Sequence, residues 1–261
     1  MNRFNFIFTS IIAITFTMSC TRPEKQESIA KDSTITKDST TVLYTLTDQE
    51  RTEGWELLFD GRTLDGWKLY NRDTIGPLWS VQGGAIIFDS KNVSKENKDV
   101  QSLVSIRQFG NFDLQLEWKI STGGNSGVLY HVVEDPKYKF SYETGPEYQV
   151  LDDIGWTGET LRPTQLSGSS YDMYPAPVSK KILPAGEWNT ARIVYNNGHV
   201  EHWMNGEKII EFEEGNDDYK KRYKKSKWVE YPGWNKSKTG SISLQDHGSP
   251  VYYRNIRIKA L

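Results

Sequence analysis

Near the end of the chain, Gln245-Asp246-His247-Gly248 follows Ser241-Ile242-Ser243-Leu244 and precedes Val251-Tyr252-Tyr253-Arg254. Two alternating patterns flank a turn. They gather an amide, a carboxylate, an imidazole and a guanidinium where a strand leaves its sheet. Such a set suits a pocket that recognises sugar hydroxyls or moves a proton beside a carbonyl. A second set lies in Glu147-Tyr148-Gln149-Val150-Leu151-Asp152. Alternation puts Glu147 and Gln149 on one face and Tyr148 and Val150 on the other, and it pairs Gln245 with His247 opposite Ile242 and Leu244. Either both polar pairs line one cleft or both point to solvent from an outer face. His131 alternates with Leu129 and Gly127, so it joins that cleft or is a satisfied core or edge histidine. His199 and His202 read as structural or exposed. Asn125-Ser126-Gly127 after Gly123-Gly124 reads as a turn plus bulge.

Several chemistries are disfavoured. No His/Cys/Asp spacing matches a standard zinc site, and there is neither a Gly-x-Ser-x-Gly elbow nor a phosphate loop. The Glu-x-Asp-x-x-Glu ladder of laminarinase-type glucanases is absent too, which argues against a conventional double-carboxylate glycosidase. A divalent cation held by side-chain oxygens stays open. The formal net charge of −2 gives no reason to expect nucleic acid. The Lys- and Arg-rich stretch 217–228 reads as a short surface helix with a solvated basic face.

The elements that must position these groups are mostly strands. Residues 113–120 alternate strictly, with Leu114, Leu116, Trp118 and Ile120 facing one way. Residues 78–81 and 85–88 form a hairpin around Gly83-Gly84, and 126–133 and 147–151 read as strands. Residues 190–195, 200–204 and 208–212 form a meander with Asn205-Gly206 as a type I′ turn. Many short strands, regular turns and little helix predict an all-β sandwich or jelly roll. Aromatics are 13% of the chain, nine of them Trp, and supply both core and flat surfaces for the apolar faces of sugars.

The N-terminus reads as targeting. Asn2-Arg3 is a short positive region, residues 4–18 are mostly apolar but short for a bilayer span, and Ser19 precedes the only cysteine, Cys20. That pattern predicts a bacterial lipoprotein signal over 1–19, acylation at Cys20 and a lipid-anchored place in the cell envelope, periplasmic or outer-surface. Residues 20–50, rich in Lys, Asp, Ser and Thr, read as a flexible stalk, leaving 51–261 as the folded domain.

A set of motifs comes in order along that domain: Gly54-Trp-Glu-Leu-Leu-Phe-Asp-Gly61, Leu64-Asp-Gly-Trp67, Asn125-Ser-Gly127, Glu147-Tyr-Gln-Val-Leu-Asp152, Gly186-Glu-Trp-Asn189, Asn205-Gly206, Ser226-Lys-Trp228 with Pro232-Gly-Trp234, and Leu244-Gln-Asp-His-Gly248 with Arg254-Asn-Ile-Arg257. The domain resembles the 3-keto-disaccharide hydrolase family. The resemblance implies a concanavalin A-like jelly roll acting on glycosides oxidised to a ketone at C3. His131 stands where that family often has an arginine. Such chemistry needs one base, one acid and a group for the enolate oxygen. By this resemblance His247 and Glu147 are the acid and base in either order, and Arg254 or Lys227 stabilises the oxyanion. Gln149, Gln245, Asn125 and Asp152 hold hydroxyls or orient the ionisable pair. A non-catalytic glycan-binding protein on the same fold is the alternative.

Overall fold

A computed structural model describes residues 44–90 and 102–261. The predicted signal, Cys20 and most of the predicted stalk lie outside the described residues. The folded body starts earlier than residue 51. Tyr44 sits against Phe59 with ring centroids 6.2 Å apart. Helix α1 (Asp48–Thr52) follows, opened by a capping box in which the Thr47 hydroxyl accepts from Glu50 N and the Glu50 carboxylate accepts from Thr47 N. Glu50 also pairs with Arg257, tying the helix to the last strand.

Among the described residues, thirteen strands make two antiparallel sheets. The larger holds β11 (Glu207–Glu213), β10 (His199–Met204), β9 (Asn189–Asn196), β6 (Phe112–Ile120), β13 (Val251–Ala260), β4 (Ala85–Phe88) and β3 (Trp79–Gln82) in that order, with β1 (Trp55–Leu57) also beside β13. The smaller runs β2 (Trp67–Leu69), β5 (Leu103–Phe109), β12 (Gly240–Leu244), β7 (Asn125–Val132) and β8 (Glu147–Leu151). The sheets face each other over a core that takes Phe112, Leu114, Leu116, Trp118 and Ile120 from β6. From the smaller sheet it takes Val128, Tyr130, Tyr148, Val150, Ile242 and Leu244. This is the all-β sandwich that the alternation predicts, with α2 (Asp217–Tyr223) as the short surface helix. Asn205 and Gly206 have φ of 47° and 84°, the left-handed pair that a type I′ turn needs.

Because the inward side chains of β8 and β12 are Tyr148, Val150, Ile242 and Leu244, Glu147, Gln149 and Gln245 must lie on the outer face of the smaller sheet. That face is covered. The outer edge of β8 bonds the segment after it, with Gln149 N donating to Ser169 O (3.0 Å), Gly168 N to Gln149 O (2.8 Å) and Tyr171 N to Glu147 O (3.0 Å). All five residues of β8 are therefore buried.

Candidate active site

A pocket of about 180 Å³ opens on that outer face, lined by Asn125, Tyr142, Glu147, Gln149, Tyr171, Lys227, Gln245 and His247. The backbone builds it in rows. Gly127 on β7 pairs with Gln149 on β8, and its carbonyl accepts from Gln245 N at 2.9 Å just past β12. Ser126 Oγ donates to Gln245 O (2.7 Å) and also meets Tyr253 Oη (2.7 Å), which reaches across the sandwich from β13. The strand ends that carry the polar groups are thus pinned from inside the core. Gly127 is glycine for space rather than for a turn: a Cβ there would overlap Glu147 Oε1.

Lys227 arrives from another direction. It opens a 3-10 turn (Lys227–Glu230) capped by Ser226, and its backbone N–H donates to Asp172 Oδ2 at 2.7 Å. Its ammonium lies 4.4 Å from the ring centres of Tyr171 and Trp228 and 5.4 Å from that of Tyr142. The rings surround a cation without neutralising it.

The electrostatics follow from this enclosure. Burial pushes the Glu147 carboxyl up to about 7, against the Lys227 charge and a hydrogen bond from Gln245. Desolvation holds the His247 imidazole below its ordinary value; a backbone hydrogen bond opposes this and the Lys227 charge adds to it. Desolvation also lowers the Lys227 ammonium, while Glu147 and Asp172 pull it back up. The side-chain amide oxygen of Gln245 is buried with no hydrogen-bond partner. A pocket holding an unused acceptor beside a carboxyl poised near neutrality is built for a polar ligand.

Of the residues singled out in the sequence, the structure brings Glu147, Gln149, Gln245, His247, Asn125 and Lys227 into this one pocket. Three others lie elsewhere. Arg254 is not beside His247, because β12 and β13 belong to different sheets rather than to one hairpin. Its guanidinium bonds Glu117 (2.7 Å) and stacks on Trp188, 4.0 Å from the ring centre. His131 leaves the alternation at a left-handed backbone (φ 53°) and is fully buried, with Nε2 on Gly110 O (2.9 Å) and its ring 4.3 Å from that of Tyr195. Asp152 organises a loop, accepting backbone N–H groups of Gly123 (2.8 Å), Ile154 (3.3 Å) and Gly155 (3.0 Å). Tyr142 and Tyr171 are lining residues that sequence reasoning missed, since both come from irregular segments with no period to read.

Two other clusters are less suited to chemistry. A cavity of about 550 Å³ lies at Tyr195, Glu214, Tyr219 and Trp234. Its carboxylate is already engaged: Glu214 accepts from Tyr195 Oη (3.1 Å), Asn235 (2.6 Å) and Lys238 (2.5 Å). His199, Glu201 and Glu211 come close enough to share a cation. Lys208 already bonds both carboxylates there, at 3.1 and 2.7 Å. Among the described residues no second group of three such ligands gathers, so the oxygen-held cation left open by the sequence has no such triad in the pocket.

Comparison with known proteins bears on the same residues. Residues 54–259 match the model of the 3-keto-alpha-glucoside-1,2-lyase-like domain. The chain belongs to this family. A 3-keto-disaccharide hydrolase of Bacteroides thetaiotaomicron is 33% identical over 230 residues, 80% of this chain and 79% of that one. A crystal structure of a candidate glycosyl hydrolase from Parabacteroides distasonis is 42% identical, covering 83% of this chain and 98% of that one at a TM-score of 0.75. A second from the same organism is 25% identical, with a TM-score of 0.59 over 79% of this chain and 99% of its own. The matched span contains all the residues that line the pocket.

Proposed function

We propose that this chain cleaves glycosides oxidised to a ketone at C3, by removal of the C2 proton, loss of the C1 substituent and addition of water. The observation that carries the reading is the meeting of His247, Glu147 and Lys227 in one small pocket on family motif residues. A C3 ketone acidifies the C2 proton, so a base of modest strength suffices. The environment of each group supports a division of roles. His247, kept neutral by desolvation, takes the C2 proton. Glu147, kept protonated by burial, gives its proton to the departing C1 oxygen. Lys227 stabilises the negative charge that gathers on the C3 oxygen. The direction then reverses: Glu147 takes a proton from water, the oxygen adds to C1, and His247 returns a proton to C2. Gln245, with its unpartnered side-chain oxygen, holds a sugar hydroxyl.

The pH dependence has a definite sign. The base must be unprotonated, so kcat/KM falls as pH drops through the His247 value, below 6.5. The acid must hold its proton, so the rate falls again as pH rises through about 7. A 3-keto-glucoside assay from pH 4 to 9 should trace a bell with its maximum on the acid side of neutrality. A rate climbing steadily to pH 9 contradicts these roles. Tight binding of unoxidised oligosaccharides with no turnover of any 3-keto substrate would instead support the glycan-binding alternative.

Gly127→Ala tests the geometry without removing any ionisable group. The new methyl must displace the Glu147 carboxyl. A displacement of that size should lower kcat by about 100-fold. Circular dichroism checks that the sandwich is retained, and a rate near that of the wild type would show that the carboxyl's position is unimportant.

A further inference from the structure

Glu147 and His247 are joined by a line of two amides. Gln149 lies with one amide atom 2.8 Å from Glu147 Oε1 and 3.2 Å from Ser126 O. Its other amide atom is 3.2 Å from the Asn125 amide, whose far atom lies 3.4 Å from His247 Nε2. A primary amide presents an acceptor on one side and donors on the other, so such a line has only two self-consistent directions.

In the first direction Gln149 donates to Asn125 Oδ1 and Asn125 donates to His247 Nε2. Gln149 Oε1 then faces Glu147, which can occupy that contact favourably only by donating its own proton. In the second direction both amides are reversed. Gln149 now donates to Glu147 Oε1 and to Ser126 O, and Asn125 donates to Gln149. Asn125 Oδ1 then faces His247 and accepts Nε2–H. The first direction suits a carboxylic acid facing an unprotonated Nε2; the second suits a carboxylate facing Nε2–H.

We propose that Gln149 and Asn125 are positioning residues that reverse together as Glu147 loses its proton, moving the proton of the neutral His247 ring from Nδ1 to Nε2. The proposal rests on the acid–base reading of this pocket and adds how its two halves are kept in step. No proton passes along the amides. The ring gives its Nδ1 proton to water and takes one from water at Nε2, and the amides only turn over. After the turn, the new carboxylate meets an N–H and the new Nε2–H meets an oxygen. The charge formed on Glu147 thus gains a partner that the acid lacked. Ser126 O favours the second direction, because only there does Gln149 offer it a donor. The state with protons on both Glu147 and Nε2 fits neither direction.

Other charged and titratable groups also face the pair. Glu147 faces Lys227 from the 3-10 turn, Gln245 from beyond β12, Tyr171 from the segment after β8 and Tyr253 from β13. His247 faces Lys227 and adjoins Asp246, whose carboxyl accepts from Ser102 Oγ at 2.8 Å and is raised by burial to about 6; a tautomer step driven by Asp246 would survive in the amide variants. Charge acting through space can shift when His247 titrates. Which nitrogen of a neutral ring holds the proton responds most directly to a contact on one nitrogen that changes from donor to acceptor, as the Asn125 amide does at Nε2.

The test reads that choice directly. The free protein is labelled with ¹⁵N-histidine, and the four rings are followed by NMR across the pH range in which His247 is neutral while Glu147 titrates. The wild type should show His247 passing from the Nδ1–H to the Nε2–H tautomer as Glu147 ionises. Gln149→Met, which keeps the side-chain volume but removes the amide, should abolish that step. Asn125→Leu should abolish it too and cuts the line nearer the rim, so it serves if the buried Met variant does not fold. A tautomer unchanged across the Glu147 titration in the wild type overturns the proposal. So does a step that survives in either folded variant. Because no substrate is present, inactivity toward 3-keto sugars and failure of the amide line are separate results.

Discussion

His247→Ala is expected to lower aglycone release from a 3-keto-glucoside by about 10²–10⁴-fold, the usual worth of a positioned proton acceptor. The loss should be similar whether the leaving group is a poor one such as a sugar alcohol or a good one such as a nitrophenol. C2 proton removal precedes or accompanies departure in both cases, and an easier departure cannot replace the missing base. A second signature separates this role from simple binding. Solvent-deuterium exchange into C2 should disappear in the variant while the KM stays close to that of the wild type. His247 lies at the pocket rim, outside the hydrophobic core, so stability should change little. Retention of C2 exchange in His247→Ala would move the base elsewhere, and Glu147 would be the first group to re-examine.

How far the sequence reveals this arrangement depends on where its regular periods stop. Strict alternation in β6 and β8 assigns faces correctly, so Glu147 and Gln149 could be separated from Tyr148 and Val150 before any coordinates. The N-terminal limit and β5 were less legible. In β5, Ile106 is 58% exposed beside Leu103 and Val104, which are fully buried, so hydrophobicity there does not track the face. Arg254 shows a different limit. It sits close in sequence to His247, but the intervening turn carries the chain from one sheet to the other, and sequence distance says nothing about such a crossing. For His131 a single left-handed residue resets the alternation, and nothing in its neighbours announces it. Lys227 was visible only through the family motif, since a lysine in a basic stretch is ordinarily solvated; Asp172, 55 residues away, holds its backbone in place.

Glu147→Gln should show the opposite dependence on leaving group from His247→Ala. The amide matches the carboxyl in size and lies in the same buried site, so packing is preserved. It cannot give a proton to the departing oxygen. With an alkyl aglycone that proton is essential to bond cleavage, and a fall of about 10²–10⁴-fold in kcat is expected. A nitrophenolate leaves unaided, so with that substrate the variant should keep most of the wild-type rate. The alkaline limb near pH 7 should vanish as well, because the group that titrates there has been removed. C2 deuterium exchange should continue in the variant, since His247 is untouched. If the activated substrate is lost as completely as the alkyl one and C2 exchange stops, Glu147 is the base. The roles of the two residues would then be interchanged while the pocket and its chemistry stand.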